Sequence, residues 1–141
     1  MKTSRLFLIM VLLNYSFESA IADLVVVTNQ NNSIQELSRE QVVYLFTGRE
    51  QNFPNGNLAF PIDHIVDSTL RSDFYLLLLG KTVAQVNAYW ARLMFTGNAT
   101  PPKVLPSVEA VQNEVRENLY AISYLDESSV DNRLKVVYRL K

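Results

Sequence analysis

The amino-acid sequence predicts an α/β domain in which helices flank a mixed β-sheet. Apolar runs typical of strands alternate along the chain with segments whose apolar residues recur every three or four positions, as in amphipathic helices. The first run, 24–28, is β-branched and uninterrupted, which is typical of a strand buried on both faces. The last run, 133–140, alternates apolar with mostly basic residues, which indicates a strand with one exposed face.

Residues 1–22 are predicted to form a cleavable export signal that is not part of this domain. Lys2 and Arg5 precede an apolar run over 6–13, and a small-x-small pattern ends at Ala22. The apolar run is shorter than the roughly 20 residues that span a membrane. We therefore expect cleavage after Ala22 and a periplasmic mature chain, 23–141. Because the chain has no cysteine, we expect a bacterial protein with an ordinary core and no disulfides.

The charge balance and the residue types exclude several classes of function. Loss of Lys2, Arg5 and Glu18 with the signal changes 13 basic and 14 acidic side chains to 11 and 13, a net charge of −2. This balance gives no sign of a nucleic-acid partner. With one histidine and no cysteine, we expect no metal and no cofactor. No later segment is long and apolar enough to place the mature chain in a membrane.

Capping signals predict the helix boundaries in chain order. Ser38 and Gln41 form a capping box for a first helix that ends at Gly48, and a strand is expected over 58–62. Ser68 begins a second helix, which ends at Gly80. The remaining elements are predicted as a helix from Thr82 to Gly97, a strand over 103–105, a helix from Ser107 to about Glu117, and strands over 120–125 and 133–140.

The periodicity of each helix predicts which of its residues are buried. The predicted buried residues are Leu37, Val42, Leu45 and Phe46 in the first helix; Leu70, Phe74, Leu77 and Leu78 in the second; and Val86, Tyr89, Trp90, Leu93 and Met94 in the third. In the last strand, alternation predicts that Leu134, Val136, Tyr138 and Leu140 are buried. Trp90 and the tyrosines are expected to serve packing rather than to form an aromatic binding surface.

The strongest candidate for a functional site is the junction 62–71, where a strand is expected to lead into a helix. A helix start offers unpaired N–H groups and a partial positive charge, so it favours an anion. The candidate ligands of a small oxyanion are His64, Ser68, Thr69 and Arg71. The simpler alternative is that Ser68 is only an N-cap and that Arg71 points into water.

Several motifs in the same order resemble the periplasmic phosphate-binding proteins, the substrate-binding subunits of phosphate ABC transporters. The residues that carry the resemblance are 37–42 with Phe46 and Gly48, the turn 53–56, the junction 62–71, and 113–125 with Ala121-Ile122-Ser123-Tyr124. The segment 87–92 with 95–97 is similar to a short subfamily of these proteins. The resemblance implies a single lobe of a type II periplasmic-binding-protein-like fold. It also implies inorganic phosphate or a similar oxyanion as the ligand.

The resemblance also implies roles for residues of the junction. Members of the family place an arginine four residues before a Ser-Gly-Thr, and that arginine grips the phosphate. In this chain His64 occupies the arginine position, Ser68 is retained, and Thr69 and Leu70 replace the Gly-Thr. Arg71 can replace the lost guanidinium only if its side chain folds back over the helix start.

Two functional hypotheses follow. The first is a periplasmic solute-binding-like protein that serves ABC-type uptake, with a transporter permease or a second subunit covering the half-exposed ligand. The second is a periplasmic interaction or accessory module that keeps the fold and has lost the ligand. An enzyme is not expected, because Asp63, His64 and Ser68 fall in one short loop, whereas hydrolase triads are assembled from distant segments.

Overall fold

The protein contains a mixed β-sheet with helices on both faces. The computed structural model describes residues 23–97 and 99–141. The expected signal peptide, 1–22, and its cleavage after Ala22 lie outside the described residues. In chain order the elements are β1 (Leu24–Asn29), α1 (Arg39–Thr47), β2 (Phe60–His64), α2 (Thr69–Leu79), α3 (Val83–Phe95), β3 (Lys103–Leu105), α4 (Val108–Glu117), β4 (Ala121–Asp126), a 3-10 turn (Glu127–Ser129) and β5 (Leu134–Arg139).

The strands lie in the order β3-β2-β4-β1-β5. Strand β1 is antiparallel to both of its neighbours, β4 and β5, whereas β2 is parallel to β3 and to β4. All six residues of β1 are buried, as the apolar run 24–28 predicts for the first five, and Asn29 extends the strand by one residue. The predicted α/β class with a mixed sheet is therefore confirmed.

The two faces of the sheet carry separate cores because successive side chains of a strand point to opposite faces. Helices α1, α2 and α3 cover one face, where Val26, Phe46, Phe74 and Tyr124 are buried together. Helix α4 covers the other face with Val111 and Val115. No helix in the described part of the chain is long and apolar enough to span a membrane.

Strand β2 lies two residues further along the chain than the predicted range 58–62. Ala59 donates its amide to the Gln51 carbonyl at 2.9 Å, so this part of the chain belongs to the preceding turn. At the other end, pairing of Asp63 with Val104 and of His64 with Leu105 extends the strand. This shift places Asp63 and His64 in the sheet, at the carboxyl end of β2, rather than in the loop that follows.

The burial pattern of β5 differs from the predicted alternation. The structure buries Leu134 and Val137, whereas Val136 is only partly buried. The pairing register shifts between Val26 and Val27 of β1, so Val137 is the extra residue of a β-bulge. A bulge reverses the face on which the following residues lie, and no local sequence pattern signals this one.

The buried faces of α2 and α3 were predicted only in part. Phe74, Leu78, Val86 and Trp90 are buried as expected, but Leu77 is 36 % exposed and Met94 is 51 % exposed. In α2 the buried positions are instead 71, 74, 75 and 78. The inward face therefore includes an arginine and a tyrosine that the predicted stripe leaves out.

Candidate functional site

The candidate site is the first turn of α2, which follows β2 after a short loop. Ser68 is the N-cap of α2, and its Oγ accepts a hydrogen bond from the Arg71 amide at 3.3 Å. The Thr69 side chain is exposed. Among the described residues, no acceptor pairs with the backbone amides of Thr69 and Leu70. The helix start thus keeps the free donors that favour an anion.

Arg71 is buried, which excludes the alternative that its side chain points into water. It is 4 % exposed. Its Nε donates to Asp63 Oδ2 at 3.2 Å, and Nη2 donates to Asn87 Oδ1 on α3 at 3.0 Å. The guanidinium carbon lies 5.3 Å from the centre of the Tyr75 ring. The third nitrogen, Nη1, is buried and has no hydrogen-bond partner among the described residues.

Asp63 is the centre of a buried polar cluster that holds Arg71 in place. Oδ2 accepts from the Tyr75 hydroxyl at 2.7 Å as well as from Arg71. Oδ1 accepts from the His64 amide at 2.8 Å and from the Tyr124 hydroxyl. Four donors therefore surround one carboxylate that is 3 % exposed, as a buried charge requires.

The two tyrosines of this cluster remain proton donors. Burial, together with the adjacent Asp63 carboxylate, raises the pKa of Tyr75 and of Tyr124 well above the usual value for a phenol. Both hydroxyls thus keep their protons at any physiological pH. The cluster is a fixed arrangement of donors around Asp63 that positions Arg71 rather than a proton relay.

His64 lies at the edge of the same cluster with its ring buried. Its Nε2 is 2.7 Å from the Tyr124 carbonyl oxygen, and a carbonyl only accepts, so Nε2 carries the proton. Burial lowers the pKa of His64, which favours the neutral ring. In that form Nδ1 has a lone pair and no proton, so it can accept from a protonated oxyanion but cannot donate to one.

The structure thus brings Ser68, Thr69 and Arg71 together on one helical turn, with His64 in the adjoining strand. Their role as ligands of an oxyanion stays a prediction. The positioning residues Asp63, Tyr75, Asn87 and Tyr124 were not predicted from the sequence. The helical spacing of residues 71, 74, 75 and 78 could have indicated them, because it places an arginine on the apolar face of α2. A buried arginine needs an acidic partner.

The described residues give no sign of a metal centre. Within 23–97 and 99–141, no three His, Cys, Asp or Glu side chains are grouped so that they could hold an ion. The groups that the site presents are N–H and hydroxyl donors with one guanidinium, a set suited to reversible binding of an anion.

Solved structures with the same architecture come from phosphate transport. A protein from Clostridium perfringens, assigned as a phosphate ABC transporter substrate-binding protein and solved with bound phosphate, matches with a TM-score of 0.67 and 19 % identity, over 82 % of this chain and 44 % of that one. The fold of this chain is that of one lobe of such proteins. An ABC-type phosphate transport receptor from Vibrio cholerae gives a TM-score of 0.65 and 22 % identity, over 82 % and 45 % of the two chains.

The similarity is one of fold over part of the neighbours' length. PstS from Borrelia burgdorferi matches with a TM-score of 0.61 and 17 % identity, over 82 % of this chain and 46 % of that one. The chain thus spans less than half the length of these structures. Comparison of the sequence with protein-family models and with curated proteins finds no match. The predicted resemblance to phosphate-binding proteins is confirmed at the level of the fold.

Proposed function

We propose that the chain is a periplasmic solute-binding protein that holds phosphate or a related small oxyanion at the start of α2. Export by the signal 1–22, with cleavage after Ala22, is part of the proposal. The observation that carries it is Arg71 Nη1, a buried guanidinium nitrogen without a partner among the described residues. A buried donor left unpaired costs roughly 1–3 kcal/mol, and an anion oxygen would offset that cost.

The ligand set in this proposal combines three kinds of donor. The Ser68 hydroxyl accepts from the helix amide and still has its own proton to donate, and the exposed Thr69 hydroxyl lies beside it. The free amides of Thr69 and Leu70 add the partial charge of the helix start. Arg71 supplies a guanidinium donor whose charge the ion pair with Asp63 partly offsets. We assign His64 to the side next to β2, where a neutral Nδ1 would accept a hydrogen bond from a protonated oxyanion.

The partners in this proposal follow from the half-exposed position of the ligand. A site on one lobe leaves part of the anion in water, so its affinity is modest unless another chain covers it. We therefore include a second subunit or an ABC transporter permease as the partner. The structural neighbours are transport receptors and substrate-binding proteins rather than enzymes, which supports binding rather than catalysis.

The experiment is a calorimetric titration of the exported protein with phosphate, with sulfate as a second ligand. The test variant is Ser68→Gly, because glycine retains most of the capping stability and removes only the hydroxyl. The matched control is Ser107→Gly, which makes the same change at the N-cap of α4, where the Ser107 Oγ accepts from the Ala110 amide at 3.1 Å. We expect about tenfold weaker phosphate binding in Ser68→Gly and unchanged binding in Ser107→Gly.

The alternative, an interaction or accessory module without a ligand, is favoured by one observation. Asp63 already neutralises Arg71 through a direct ion pair. If the wild-type protein gives no heat and no thermal shift at millimolar phosphate or sulfate, the binding proposal is wrong. If Ser68→Gly and the wild type bind phosphate equally well, the anion does not bind at the start of α2.

A further inference from the structure

A small apolar crevice lies between α1, α2 and α3, beside the carboxyl end of α2. Its volume is about 80 Å³, and its floor is formed by the buried side chains of Phe46, Tyr75, Val86 and Trp90. None of the candidate anion ligands His64, Ser68, Thr69 and Arg71 lines this crevice, and the anion site lies at the start of α2 rather than at its carboxyl end. The two sites can therefore be tested separately.

The neutral polar groups of the crevice are all occupied by the protein itself. The Tyr75 hydroxyl donates to Asp63 at 2.7 Å, and the Tyr89 hydroxyl donates to the Thr47 carbonyl at 2.6 Å. The Thr47 hydroxyl donates to the Val43 carbonyl, also at 2.6 Å. A ligand that enters the crevice therefore meets apolar walls and finds no free neutral donor among these groups.

Two cations complete the lining, and they set the charge of the rim. Arg49 and Lys81 are exposed, and neither forms an ion pair within the described part of the chain. Within the described part of the chain, none of the residues that line the crevice is acidic. Two last-turn carbonyls of α2, those of Leu77 and Leu78, would lend the rim negative charge, and both accept hydrogen bonds from the Arg39 guanidinium.

We propose that this crevice is a second binding site, which takes a short-chain aliphatic carboxylate. The hydrocarbon chain lies against Tyr75, Val86 and Trp90, and the carboxylate lies between Arg49 and Lys81. An apolar body is required because a bare oxyanion such as phosphate has no atoms with which to cover the walls. An anionic head is required because the only charged side chains of the described lining are the two cations, and neither forms an ion pair within the described residues. The Arg49 guanidinium carbon lies 5.7 Å from the centre of the Tyr44 ring, which leaves its positive charge without a counter-ion.

The volume limits the size of the ligand. A cavity of about 150 Å³ holds benzene, with six carbons. The crevice has about half that volume, which corresponds to three or four carbons of chain beyond the carboxylate. Isovalerate and butyrate have this size, whereas acetate leaves the floor uncovered. Isovaleramide has the same shape as isovalerate without the charge, so it separates the contribution of the cations from that of the apolar walls.

The chain has one tryptophan, Trp90, and this residue lines the crevice, so its fluorescence reports occupancy directly. We would titrate the exported protein with isovalerate, acetate, isovaleramide and phosphate at constant ionic strength. The test variant is Arg49→Gln with Lys81→Gln. The matched control is Arg133→Gln with Lys141→Gln, which removes two exposed cations that do not line the crevice.

The expected result is a saturable change in Trp90 emission with isovalerate at millimolar concentration. Binding is about tenfold weaker or absent in the Arg49→Gln/Lys81→Gln variant and unchanged in the control variant. Phosphate neither changes the emission nor competes with isovalerate, so a failed phosphate titration leaves this result unaffected. The proposal is overturned if isovalerate gives no saturable change. It is also overturned if isovaleramide binds equally well, or if the test variant binds like the wild type.

Discussion

Replacement of Asp63 by Asn tests whether the buried ion pair holds the start of α2 in place. Asp63 and Arg71 are 3 % and 4 % exposed, and Oδ2 and Nε are 3.2 Å apart. Asparagine keeps the shape of the side chain but removes its charge. Its amide nitrogen also cannot accept from Tyr75 and Arg71 as Oδ2 does. The variant therefore leaves a buried guanidinium without a counter-charge.

The magnitude follows from the burial of both partners. Removal of one partner of a buried ion pair costs about 3–5 kcal/mol, a large share of the roughly 5–15 kcal/mol that stabilises a domain. The matched control is Asp131→Asn, which breaks the ion pair with Arg116 in which Asp131 is 40 % exposed. An exposed pair of this kind contributes about 0–1 kcal/mol. We expect the two losses to differ by several-fold.

Urea unfolding followed by far-ultraviolet circular dichroism measures both losses. The double variant Asp63→Asn/Arg71→Met should lose less stability than the sum of the two single variants, because it leaves no uncompensated charge in the interior. If Asp63→Asn destabilises the protein no more than Asp131→Asn does, then the cluster around Asp63 does not stabilise the fold.

Two further predictions concern packing and pH. Gly48→Ala should lower the free energy of unfolding in urea by about 2–4 kcal/mol, because the φ of Gly48 is 73° and the new Cβ would lie 2.9 Å from the Trp90 ring. The control is Gly80→Ala, where φ is 64° and nothing lies within 4 Å of the new Cβ, so the loss should be only about 1 kcal/mol. Burial lowers the pKa of His64 below the 6.5 of a free histidine, so the unfolded chain binds the proton more tightly than the folded protein does. The stability of the protein should therefore fall as the pH is lowered below 6.5. His64→Gln should flatten that dependence, and an unchanged slope would assign it to other groups.

The helix boundaries could be predicted because residues close in sequence determine them. The capping boxes of Ser38 with Gln41 and of Thr82 with Gln85 are both formed in the structure. The ends of β2 could not be predicted in this way. Its last residues are strand because β3, about 40 positions further along the chain, pairs with them. A strand boundary set by a distant partner leaves no local signal.

The candidate site could be located but not resolved from the sequence. The cap at Ser68 is a local feature and was recognised, whereas the burial of Arg71 depends on Asp63 and Asn87 from two other elements. The predicted stripe of α2 included Leu77, which is 36 % exposed, and left out Arg71 and Tyr75, which are buried. Arg71 was therefore predicted either to fold back over the helix start as a ligand or to point into water, because charged residues are rarely fully buried without a partner.

The competition for Arg71 decides what the site can bind. Asp63 takes one nitrogen of the guanidinium and Asn87 takes a second, which leaves Nη1. A neighbouring carboxylate also cancels much of the charge that an incoming anion would meet. However, Asp63 shares its own charge among four donors, so its hold on the guanidinium is not exclusive. A site built this way has a rigidly positioned donor of reduced charge, which favours weak and reversible binding over tight capture. If the proposed anion site is covered by a second subunit, exclusion of water would strengthen every one of these contacts, and the proposal then predicts a higher affinity for phosphate in the complex.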